Sequence, residues 1–120
     1  MPGLKTIVQR TAAVVDRVAP PPAGVTILIY HRIGGGSDSE VDLPADQFDR
    51  QLTHLAEHHR VLSLADAVAE LGGAQPSGWA GTASDAEVRP AVVVTFDDGT
   101  ADFVDVAAPL LERYGIPATL

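Results

Sequence analysis

The sequence predicts an α/β fold with a parallel sheet and crossover helices, and three observations carry that prediction. Two β-rich runs, Val25-Thr26-Ile27-Leu28-Ile29-Tyr30 and Ala91-Val92-Val93-Val94, are nearly continuous in apolarity, the pattern of strands covered on both faces. Apolar residues recur at helical spacing between and after them, over residues 48–59 and 103–114. Strand and helix signals alternate along the chain, as in βα units joined by right-handed crossovers.

Composition narrows the partners. With 120 residues the chain fits one domain at most, and an apolar fraction of 46% excludes disorder. There is no cysteine, which removes disulfides and thiolate metal ligands from consideration. The formal net charge is −8, and no Lys/Arg stripe is present, so nucleic acid is not expected as a partner. Residues 61–120 carry two basic and nine acidic side chains, against six and seven in residues 1–60. An acidic second half suits either a divalent cation or an ordinary solvated surface. No run approaches the roughly 20 apolar residues of a membrane span. Lys5, Arg10, Asp16 and Arg17 interrupt the first nineteen residues, so no signal-peptide core forms and a cytoplasmic location is the expectation.

Residues 1–24 read as a helical leader and linker, with Leu4, Ile7, Val14, Val15 and Val18 in a loose helical pattern that Pro20-Pro21-Pro22 ends. The main unit is expected over 25–120. After the first strand, residues 34–39 form a Gly/Ser-rich flexible loop without a phosphate-cradle motif. A helix is expected to start near Pro44 as its first residue, with Asp46 in the first turn and Phe48, Leu52, Leu55 and His59 as one buried stripe. Arg60-Val61-Leu62 is a short strand, and Ser63 with Asp66 makes a capping box for a brief helix carrying Leu64, Val68 and Leu71. Residues 72–90 have no period; Trp79 within them either anchors the loop or offers a stacking surface. Phe103, Val106, Ala107, Leu110, Leu111 and Tyr114 share a helical face. Gly115 is the expected left-handed terminator, and a strand begins over Ile116 to Leu120.

Thr95-Phe96-Asp97-Asp98-Gly99 carries the chemistry. Two adjacent carboxylates follow an apolar strand, at the end where α/β sheets place their sites. Burying either without a partner costs several kcal/mol. One reading makes Asp98 a metal ligand and Asp97 the acceptor of a proton from water, with Gly99 permitting the turn. The other makes one Asp the cap of the helix beginning near Ala101. His31 ends the first strand at the same mouth and serves either the site or a structural hydrogen bond. His54 and His58 are four residues apart but lack the glutamate of a metalloprotease helix, so they read as solvated surface. His59 reads as a satisfied residue at the edge of the apolar stripe.

Several segments together resemble the N-terminal part of the polysaccharide deacetylase family, also called the NodB homology domain or carbohydrate esterase family 4. They are Ile29-Tyr30-His31-Arg32-Ile33, Phe48-Asp49-Arg50-Gln51-Leu52, Val61-Leu62-Ser63-Leu64, Val92 to Gly99, and Pro109 to Thr119. The resemblance implies an incomplete (β/α) barrel with its site at the strand C-termini. It places the catalytic base on Asp97 and a metal ligand on Asp98, with Tyr30 and His31 close to the site. The implied metal is divalent, usually zinc, and the implied substrate is an N-acetylated glycan or a small N-acyl compound. The reaction is hydrolysis of a non-peptide amide. The family's later paired histidine ligands, arginine motif and general-acid histidine have no counterpart in these residues. The 120 residues alone are therefore expected to be inactive, and to need a C-terminal half or a partner chain. The alternative is a non-catalytic fragment that binds glycans or assembles with another protein.

Overall fold

The computed structural model describes residues 24–73 and 89–120. The leader up to residue 23, Trp79 and most of the 72–90 connection thus lie outside the described residues. Within them the fold is mixed α/β with a parallel sheet that is not closed into a barrel. The sheet is built on β5 (Ala91–Phe96), whose first four residues are all buried. Strand β1 (Val25–Tyr30) pairs with its whole length, Val25 opposite Ala91 through Tyr30 opposite Phe96. On the other side β4 (Arg60–Leu62) pairs with Ala91 to Val93, and β6 (Ala118–Thr119) continues along Val94 and Thr95. Every pairing is parallel, which requires the crossover helices that the alternation predicts.

One face of the sheet packs on two helices. Leu28, Tyr30, Val92, Val94 and Phe96 meet Phe48, Leu52 and Leu55 of α1 (Ala45–His58) and Leu111 of α3 (Ala108–Tyr114). The Tyr114 hydroxyl ties these helices together by donating to Asp49 Oδ1 at 2.8 Å. The other face is thinner. Helix α2 (Leu64–Leu71) lays Ala67 over Ala91, Val93 and Leu62, while Ile27 and Ile29 of β1 stay 53% and 59% exposed. This corrects the expectation that β1 is covered on both faces: among the described residues it is an edge strand, and the cluster under α2 takes in Val25 of β1 but leaves Ile27 and Ile29 open. Val68 and Leu71 likewise face outward.

Local differences follow from chemistry. Pro44 precedes α1 rather than opening it. Its backbone is extended, and its carbonyl accepts the Gln47 and Phe48 amides at 3.1 and 3.0 Å. Asp46 is in the first turn and pairs with Arg50 at 3.0 Å. Ser63 caps α2, accepting the Asp66 amide at 3.1 Å and donating to Asp66 Oδ2 at 2.8 Å. Before α3 the chain is π-helical over Phe103–Ala107, with the Ala108 amide bonded to the Phe103 carbonyl. Pro109 has no amide for the Asp105 carbonyl, and the helix widens over the turn just ahead of it. Gly115 ends α3 in the left-handed conformation, at φ 63°, as expected. His59, expected in the buried stripe of the helix, lies beyond α1 in extended backbone and is half-buried.

Candidate active site at the acid turn

The turn bearing Asp97 and Asp98 starts from fixed backbone. The Asp97 amide donates to the Tyr30 carbonyl at 2.9 Å, continuing the β1–β5 ladder one residue past Phe96. Tyr30 borders the site through that carbonyl, because its ring belongs to the core. It stacks on Phe96 at 5.4 Å, meets Phe48 edge-on at 5.1 Å, and donates its hydroxyl to Gln51 Oε1 at 2.8 Å. Burial pushes the Tyr30 phenol pKa up.

Asp98 adopts φ 65°, in the left-handed region that Asp and Asn tolerate better than other side chains. The permissive residue of the turn is therefore Asp98 itself. Gly99 has no positive φ, and a Cβ there would meet nothing within 4 Å, which corrects the role expected of it. Asp98 Oδ2 lies 3.4 Å from His31 Nδ1, joining the ends of β1 and β5 loosely; the two side chains are 70% and 36% exposed. Among the described residues, neither Asp97 nor Asp98 accepts an amide of the following helix. The capping alternative fails, and both carboxylates remain open to solvent.

The acid beside the turn that does bind backbone is Asp102, which no local sequence pattern singles out. Its Oδ2 accepts the Ile33 amide at 2.7 Å, and its Oδ1 lies 3.5 Å from Arg32 Nε. This carboxylate links the segment after His31 to the segment after Asp98. The partners are 69 residues apart, so no local pattern announces them. The Ile33 amide holds the Asp102 pKa below the usual carboxylate range. Asp102→Ala is expected to cost about 2 kcal/mol in urea unfolding near neutral pH, the size of a hydrogen bond to a charged group. A depressed folded pKa makes that contribution fully present above the unfolded value of about 3.9 and lost as pH falls through the folded value. A cost below about 0.5 kcal/mol would remove the bridge from the account of how the site is held.

A second carboxylate organises the loop beside the site. Strands β2 (Arg32–Ile33) and β3 (Asp42–Leu43) pair, and Asp42 accepts the Gly35 and Ser37 amides at 2.9 Å each and the Ser37 hydroxyl at 2.7 Å. The Ser37 hydroxyl and amide lower the Asp42 pKa. The Gly/Ser loop is thus tied down rather than free. Gly35 is needed for close approach: a Cβ would stand 2.6 Å from Asp42 Oδ2.

The donor types at the turn, carboxylate and imidazole, suit a divalent ion, but their number is short. Asp98 and His31 are adjacent, and among the described residues no three His, Cys, Asp or Glu side chains are placed to hold one. Catalytic zinc takes three protein ligands. A cavity of about 560 Å³, lined by Phe103, Leu111, Glu112 and Ile116 among others, does not include the acid turn.

Comparison with known proteins gives this geometry its context. No protein-family profile matches the chain. The Bacillus subtilis (strain 168) protein YxkH, named as a polysaccharide deacetylase, is 30% identical over 100 residues, covering 82% of this chain and 32% of its own length. The fold is similar to IcaB from Ammonifex degensii, with TM-score 0.62 and 27% identity over 80% of this chain and 36% of that one. It is also similar to the Streptococcus pyogenes deacetylase PplD, solved in complex with acetate. Here the TM-score is 0.61 and the identity 28%, over 82% of this chain and 42% of that one. The chain is homologous to the polysaccharide deacetylases over most of its length. A de-N-acetylase from Aggregatibacter actinomycetemcomitans shares the fold at TM-score 0.59 and 24% identity, over 78% of this chain and 35% of that one. The chain spans about a third to two fifths of the length of these proteins. The two-donor turn agrees with that coverage: among the described residues no complete metal-ligand set is present.

Proposed function

We propose that this chain supplies the acid turn of a metal-dependent deacetylase acting on an N-acetylated carbohydrate, within an incomplete barrel of the deacetylase type. In this reading the Asp97 carboxylate takes the proton of the water that attacks the acetamide carbonyl carbon. The C–N bond then breaks, leaving acetate and the sugar amine, and a group outside the described residues protonates the departing nitrogen. Asp98 would hold the divalent ion, zinc by the preference of the family, with His31 beside it. A divalent ion bound there supplies Lewis-acid polarisation of the reacting groups. Further donors come from a segment or partner that completes the fold. The exposed Ile27 and Ile29 of β1 support such a completing surface, because apolar side chains left open on an edge strand are usually covered.

The observation that carries the reading is the left-handed Asp98 beside His31 at the sheet's C-terminal end, with neither carboxylate of the turn spent on the next helix. The test is acetate release from N-acetylglucosamine oligomers by the natural full-length protein supplied with zinc. Release that depends on Asp97 supports the reading. Its absence, with the metal bound and the protein folded, would refute it.

A further inference from the structure

Three histidines gather at the far end of the molecule from the acid turn. His54 and His58 lie one turn apart on α1, both exposed, with ring centroids 4.7 Å apart and planes tilted by 50°. His59, the first residue beyond the helix, brings its ring to 5.3 Å from that of His54. Glu57 Oε2 stands 3.7 Å from His58 Nε2, a negative charge next to the pair.

The spacing has a chemical meaning. Two imidazole nitrogens each about 2 Å from one ion put their ring centres roughly 4.5 to 5 Å apart, which is the His54–His58 separation. Residues four apart on a helix reach this arrangement without backbone change. As the rings stand, no third donor among the described residues closes on the same point. The ring spacing is therefore that of two imidazoles able to share one ion, with its other positions left to solvent. We propose that His54 and His58 form a surface site for a divalent transition-metal ion of the imidazole-preferring class (copper, nickel or zinc), distinct from the acid turn. The sheet register separates the two. Arg60, next to His59, pairs with Ala91 at the start of β5, while Asp97 follows its end, a span of roughly 20 Å at about 3.3 Å per residue.

Imidazole donors set the selectivity. Copper(II) should bind most tightly, nickel and zinc less so, and magnesium or calcium not measurably. The test is calorimetric titration of the whole chain with nickel, copper and zinc chlorides at neutral pH. His54→Ala and His58→Ala should each weaken nickel binding by at least about tenfold, since loss of even an outer-shell partner has that effect. Asp98→Ala should leave this event unchanged. Both histidines are exposed, so their removal should spare the fold, which the unfolding midpoint checks. Selective broadening of the His54 and His58 ring resonances by copper(II) gives a second, substitution-free readout. Nickel affinity unchanged in both variants, or lost in Asp98→Ala, would overturn the proposal.

Discussion

Asp97→Asn in the natural full-length protein is expected to lower acetate release by about 10²- to 10⁴-fold, the usual contribution of a positioned general base, while leaving the unfolding midpoint in place. The two halves of this expectation have separate physical sources. Asparagine keeps the shape of aspartate and loses its capacity to accept a proton. Stability should be spared because only the Asp97 backbone amide is engaged, with the Tyr30 carbonyl, and the exposed carboxylate has no partner among the described residues. A fall in activity without a fall in stability therefore isolates proton transfer. Activity and midpoint falling together would mean instead that Asp97 holds the turn in shape.

The second large effect is on the scaffold. Phe48 is fully buried and touches both aromatic residues that precede the site: Tyr30 edge-on at 5.1 Å, and Phe96 edge-on at 6.0 Å. Phe48→Ala should destabilise by about 3 to 5 kcal/mol, because the ring is removed and its neighbours relax only partly into the cavity. Against a typical domain stability of about 5 to 15 kcal/mol that is enough to unfold a large fraction of molecules. Val68→Ala is the matched control. Its side chain is 62% exposed, and its loss should cost less than about 0.5 kcal/mol. Urea unfolding of the two variants measures the difference; similar midpoints would contradict the core assigned to this face of the sheet.

What the sequence discloses and what it hides divide by distance along the chain. The buried β5, the Phe48-Leu52-Leu55 stripe, the Ser63 cap and the left-handed Gly115 are all readable, because each depends on neighbours within a few residues. The acid turn is readable for the same reason: two carboxylates after an apolar strand are anomalous wherever they occur. The Asp102–Ile33 bridge and the Tyr114–Asp49 bond join positions more than sixty residues apart, and nothing in either local pattern marks them. The exposure of Ile27 and Ile29 was hidden because a continuous apolar run does not say whether both faces have a neighbour. Gly99 drew attention as the flexible residue, yet aspartate at 98 takes the left-handed step, since its short polar side chain tolerates that backbone. The Asp42 clamp was missed because Gly/Ser composition alone cannot show that a nearby carboxylate collects the loop's amides.

The central claim is that Asp98 is one ligand of a metal site whose full ligand set is not supplied by residues 24–120. It is tested most directly by zinc binding in a His54→Ala/His58→Ala background, which removes any contribution from the helix pair. Calorimetry should give one tight zinc equivalent for the natural full-length protein, lost on Asp98→Ala, and none for residues 24–120 alone. Tight, Asp98-dependent zinc binding by residues 24–120 alone would contradict the claim, as would full-length binding that Asp98→Ala leaves intact.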